Sequence, residues 1–290
     1  MKKFSLSKFS LSMSVIAALL IASAAFASGI SVGNMSVLNL DGGIRLHAYG
    51  TGDNMNDYCY VVESPEGLVL IESTAYRENV NALAEYIRSL GKPLEGALLS
   101  YHPNGYKSYG DVRIYATTGA LKSWAEGGSV WGLTQSFIKA MGDKVAEDLP
   151  ASADVIAEGQ TVKIAGVDFV ILHESDGEGY GIAIPAANIV YRHMMGSKTH
   201  NILPAIPYIE AEIAELKGYQ SKGYALILTS HNAPEGKEAV TEKIAYLEKV
   251  SELAKSSKNR EEFTAGVKAA FPDYNGEAYL EMSAGALFTE

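Results

Sequence analysis

The sequence is poor in cysteine, in basic charge and in apolar runs long enough to span a bilayer. Its one cysteine, Cys59, closes no intrachain disulfide and excludes a thiolate cluster, so any metal must be held by imidazole, carboxylate or water. Lysine and arginine number 24 against 34 aspartates and glutamates, a formal net charge of −10. No basic patch interrupts this acidic balance, which argues against nucleic acid and anionic membrane surfaces as partners. The apolar run from Met13 to Phe26 follows Lys2, Lys3 and Lys8 and ends in the small residues Ala25 and Ala27. That is the pattern of a cleavable secretory signal, cut between Ala27 and Ser28. The run is too short and Ser-rich to stay as a membrane anchor, and Ser28 is not the cysteine that lipid anchoring requires. An exported protein, periplasmic or secreted, is therefore expected.

What remains is globular: 47% of residues are hydrophobic and 20% charged. Residues 28–290 read as one domain in two halves, about 28–150 and 151–290, with the acidic, Pro-containing stretch Gly142 to Gly159 between them. Short apolar runs predict strands at Met35 to Leu40, Ile44 to Tyr49, Tyr58 to Val62 and Leu68 to Ile71. Val80, Leu83, Ile87 and Leu90 then fall on one helical face, predicting a helix from Glu78 to Leu90. Strands at Gly96 to Ser100 and Val112 to Ala116 flank a Tyr-rich loop, and two helices fit between Gly119 and Met141. The second half repeats the grammar, with strands at Thr161 to Ile164, Val167 to Leu172, Gly181 to Ile184, Ile189 to Tyr191 and Tyr224 to Leu228. Helices are predicted near Ile209 to Leu216, from Val240 to Ala254 and from Asn259 to Phe271.

Four of the six histidines close an apolar strand-like run: His102 after LLSY, His173 after VIL, His193 after IVYR and His231 after ILTS. Strand ends in α/β sheets are where side chains converge on rigid backbones, so these four imidazoles are candidate metal ligands. Taken singly, each could equally cap its own strand. His47 alternates with Leu46 and Ala48 and reads as a half-exposed sheet residue, whereas His200 lies in a polar loop beyond His193. Tyr101, Tyr106 and Tyr109 beside His102 suit a ligand pocket or plain packing. Ser100 and Ser230 stand near histidines but lack a Gly-x-Ser-x-Gly elbow, which leaves little for metal-free nucleophilic catalysis.

These residues resemble the metallo-β-lactamase superfamily in order and over nearly the whole chain after the signal. Asn56, the run Tyr58 to Val62 and Leu68-Val69-Leu70-Ile71-Glu72-Ser73 resemble its opening hairpin and "vLIDtG" strand, with Glu72 where the family usually has Asp. Leu98 to Tyr106 resembles the "vTHxHxDHxGG" signature, and Leu228-Thr229-Ser230-His231-Asn232-Ala233-Pro234 its late "GHgpp" segment. The resemblance implies a four-layer αββα sandwich with a metal-bearing cleft along one sheet edge. In register with the signature, Ser100 replaces the first His, His102 keeps the second, Asn104 replaces the Asp and Gly105 replaces the third His. His173 lies near the next ligand position, where Ser175 or Asp176 also fall, and His193 or Met194 stands where a bridging Asp is expected. Ser197-Lys198-Thr199-His200-Asn201 is similar to the "HTxHN" stretch of the alkylsulfatase-like group.

An amide and a glycine cannot replace a carboxylate and an imidazole, so the usual two-metal site does not assemble from this signature. Two readings follow. One is a non-catalytic or weakly active relative, without metal, whose cleft keeps Ser100, Tyr101, Asn104, Tyr106, His200 and Glu72 around a small-molecule ligand. The other is a periplasmic hydrolase with one zinc on some of His102, His173, His193 and His231, acting on an ester, lactone or sulfate ester.

Overall fold

The computed structural model describes residues 30–288 except 54 and 176, so the expected signal at 1–27 and Asp176 lie outside the described residues. The strands form two sheets, of seven and six strands. In the first, β1 (Asn34–Asn39), β2 (Arg45–Gly50), β3 (Tyr58–Glu63) and β4 (Leu68–Ile71) make an antiparallel meander. The helix α1 (Arg77–Ser89) crosses over to β5 (Leu94–Leu98), which pairs parallel to β4, and β6 (Ile114–Ala116) continues in parallel. Two helices, α2 (Thr118–Trp124) and α3 (Ser129–Met141), precede the short parallel edge strand β7 (Asp154–Val155).

The second sheet uses the same plan. Strands β8 (Thr161–Ile164), β9 (Val167–Leu172), β10 (Gly181–Ile184) and β11 (Ile189–Tyr191) form a meander. The crossover helix α4 (Ile206–Lys222) leads to the parallel strand β12 (Leu226–Leu228), and β13 (Glu235–Gly236) closes the edge antiparallel. Three helices follow: α5 (Glu238–Ser256), α6 (Arg260–Ala270) and α7 (Glu277–Leu287).

The two-residue period of the strands sorts their side chains into layers. Ile182, Ile184, Ile189 and Tyr191 join the core shared with the first sheet, while Ala183, Val190 and Ile227 pack against residues of α4 to α7. On the other side, Leu83, Tyr86 and Ile87 of α1 enter the first core, as their spacing requires. The result is an αββα sandwich. All four residues of β4 are fully buried, the signature of a strand covered on both faces, and truncating Leu70 to alanine there is expected to cost about 2–5 kcal/mol.

Three expectations change. His47 is 1% exposed, because elements on both sides cover β2 where simple alternation would leave one face wet. The stretch 142–159 contributes β7 to the first sheet and is not a free connector. The helix α7 escaped notice, since its alanines, glycine and serine carry little apolar periodicity.

Candidate metal centre

Both sheets end their meander-crossover units at one edge, and the site is built from the loops found there. His102 follows β5, His193 follows β11 and His231 follows β12. His193 Nε2 lies 3.3 Å from His102 Nε2 and 3.2 Å from His231 Nε2. The three rings stand 5.0 to 5.3 Å apart and steeply inclined to one another, like blades round one axis. Tetrahedral zinc with bonds of about 2.0–2.1 Å spaces its ligand nitrogens about 3.3 Å apart, which both contacts to His193 match. Among the described residues this is the one group of three or more His, Cys, Asp or Glu side chains close enough to hold a metal.

The electrostatics suit a cation as well. Burial, the neighbouring His231 and His102, and Arg192 together hold His193 well below the usual histidine range. Burial also lowers His102, against the opposing pull of Asp57. Both are therefore neutral imidazoles at physiological pH, the form that ligates a metal.

Buried carboxylates hold this cluster in place. Glu72 ends β4 with a left-handed φ of 61° and is fully buried. Its carboxylate accepts the backbone N–H groups of Ser100, Tyr101 and His102 at 3.2, 3.0 and 2.9 Å, and the Tyr191 hydroxyl at 2.7 Å. Glu72 thus underlies the His102 loop and does not line a cleft. Tyr101 stacks on the His193 ring at 4.0 Å and 11°, and its hydroxyl donates to Glu174. Glu174 also accepts the His193 backbone N–H, at 3.4 Å. Behind it, the buried Arg192 pairs with Glu215 and Glu212. Asp57, just before β3, lies with Oδ1 3.3 Å from Nδ1 of His231.

The remaining candidates are placed elsewhere. His173 is 57% exposed, and Glu158 and Glu215 draw it out to the surface. Ser175 is likewise taken by Glu215. Asn104 is turned inward, donating to Thr134 and to the Ala146 carbonyl, so the signature position that lost its carboxylate has become a packing residue. Ser100 ties its loop to Tyr180 through two hydrogen bonds. Tyr106 packs on the core, and His200 is buried against Tyr246 and Tyr274. Asp57, Glu174 and Arg192 were not singled out by sequence: none stands in a spacing that distinguishes it from other acidic or basic loop residues.

With this geometry in hand, solved structures supply the comparison. A metallo-beta-lactamase family protein from Thermus thermophilus superposes with TM-score 0.62 at 13% identity, over 84% of this chain and 91% of that one. A beta-lactamase domain protein from Burkholderia ambifaria gives 0.61 at 15% identity, over 92% and 90%. The chain has the metallo-β-lactamase fold. An inverting sec-alkylsulfatase from Pseudomonas sp. matches with TM-score 0.55 at 16% identity over 83% of this chain, which spans 48% of that longer protein. No family model and no curated protein matches the sequence. Within the metallo-β-lactamase fold, this chain departs from the signature in its donors: one imidazole from the signature loop, one at the expected bridging position and one from the late segment.

Proposed function

We propose that the chain is an exported hydrolase that holds one metal ion, zinc by its donor chemistry, on His102, His193 and His231 and cleaves an ester, lactone or sulfate ester. The convergence of three Nε2 atoms, with contacts of 3.2 and 3.3 Å, carries this reading. Three imidazoles with an open fourth position are an accepted catalytic zinc set. His102, His193 and His231 would hold the ion, which would supply Lewis acidity for activating water and polarising the scissile group. The chain's own residues orient and enclose. Glu72 pins the loop that presents His102, Tyr101 covers one face of His193, and Tyr279 stands beside His231 with ring centroids 6.2 Å apart. All three imidazoles keep partial solvent access, which leaves a path for substrate. The sulfate-ester option draws on the likeness to the Pseudomonas sec-alkylsulfatase. Export draws on the N-terminal sequence pattern, and no helix among the described residues is long and apolar enough to cross a membrane.

A second reading, a non-catalytic relative that binds a small molecule, is favoured by one observation. A cavity of about 620 Å3, lined in part by Asp53, Tyr76, Arg77 and Met141, includes none of the three imidazoles. The deciding experiment is metal content by mass spectrometry on the chain from Ser28, zinc-loaded and dialysed, beside His102→Ala and His231→Ala. About one zinc per chain, absent from both variants, with turnover in a screen of esters, lactones and sulfate esters, is the expected result. No retained metal overturns the hydrolase and leaves ligand binding; retained metal without turnover of any screened ester also favours the second reading.

A further inference from the structure

Each of the three clustered imidazoles presents one ring nitrogen to the others, which leaves open what holds the opposite nitrogen. For His102 and His231 the opposite atoms are Nδ1, both buried and neither within good hydrogen-bond geometry of any group. Asp57 Oδ1 is in the same condition and lies 3.3 Å from His231 Nδ1. Native proteins rarely leave buried polar atoms unsatisfied, so the facing pair of Asp57 Oδ1 and His231 Nδ1 asks for a joint explanation.

Asp57 is 1% exposed, and its backbone carbonyl is already committed to the Thr51 N–H. A carboxylate is an acceptor only, with room for several donors, and neutral imidazole carries a single N–H. Whichever nitrogen faces the carboxylate keeps the proton, and the other is left with its lone pair. The surrounding backbone holds this arrangement. The Asn56 side chain donates to the His231 carbonyl at 3.0 Å, and the Tyr58 N–H donates to the Ser230 carbonyl at 2.7 Å. The segment 56–58 therefore holds main-chain carbonyls of the His231 loop through both neighbours of Asp57.

We propose that Asp57 is a positioning residue for His231, accepting its Nδ1–H and so turning its Nε2 lone pair toward His193. The purpose of this arrangement rests on the metal-binding reading above; its geometry does not. The alternative is a chain of imidazoles hydrogen-bonded to one another through Nε2–H, with Asp57 a bystander.

Two measurements test it. Two-bond 1H–15N correlation spectra of the metal-free chain at mildly alkaline pH, assigned with His102→Gln and His231→Gln, should show the Nδ1–H tautomer for His231. Nε2–H at His231 overturns the proposal, and this readout needs no variant of Asp57 to fold. Zinc competition against a chromophoric chelator should then show Asp57→Asn weakened about 10–100-fold, with partial recovery in Asp57→Glu. An Asp57→Asn chain with wild-type affinity and unchanged tautomers also overturns it. The Nδ1–H tautomer in a wild-type chain that binds no zinc would sink the metal reading and leave the role of Asp57 standing.

Discussion

Two clusters of histidine and carboxylate in this molecule, one buried and one half-buried, are built to opposite ends. At His47, Nδ1 meets the Tyr86 hydroxyl at 2.7 Å and Nε2 meets Glu63 at 2.9 Å, while Glu63 also pairs with Arg45 and Lys92. Every ring nitrogen there has its partner, so the ring packs the sheet and has no valence to offer. At the loop edge, His102, His193 and His231 turn Nε2 toward one another, and the Nδ1 of His231 faces Asp57. The lesson is that burial of a histidine says little about function, whereas the direction of its unspent lone pairs says much.

The sharpest way to break this contrast is His193→Ala. It removes the one imidazole that contacts both others, and zinc retention after dialysis should fall at least about 100-fold with the melting temperature of the metal-free chain little lowered. Glu63→Gln should do the reverse, costing about 1–3 kcal/mol in denaturant unfolding while leaving zinc binding intact. Its pH dependence has a definite sign. Burial raises the Glu63 carboxyl, but Lys92, Arg45 and His47 outweigh that and hold it at about 2, against 4.5 in an ordinary glutamate. The wild-type advantage is therefore full above about pH 4.5 and vanishes as the pH falls toward about 2.

A smaller effect is expected at His200, where burial and Lys243 press the imidazole down to about 4 from 6.5. The unfolded chain takes up that proton first, so stability should decline as pH falls from about 6.5 toward 4, with a shallower decline in His200→Gln. The smallest effect belongs to His173→Ala, whose exposed ion pairs are worth no more than about 0.5 kcal/mol, with zinc affinity unchanged. A loss of zinc in that variant would erase the distinction between clustered and solitary histidines.

Much of the architecture was legible, because period-two runs such as Leu68 to Ile71 and the helical spacing of Val80, Leu83 and Ile87 are local signals of burial. The shared placement of four histidines at strand ends was legible too. What separates His173 from His102, His193 and His231 was not. His173 leaves β9 toward Glu158, in the turn before β8, and Glu215, on α4, and no feature of the sequence around it foretells those partners. Asn104 could be read as a lost carboxylate but not as a donor to Thr134 and Ala146, since those partners come from a helix and a loop some 30 and 42 residues away. Asp57 was invisible for the same reason: its meaning lies in a contact with a loop from the other sheet.

The three imidazoles are also far apart along the chain, His102 and His193 by 91 residues and His193 and His231 by 38. Donors so distant form no chelate in an unfolded polypeptide, because closing two long loops round one ion carries a heavy entropy cost. A bound ion would therefore recognise the native state alone and draw the folding equilibrium toward it by mass action, with the melting temperature rising with free metal. The ion would clasp one sheet to the other, and the metal-free chain would be the less stable form.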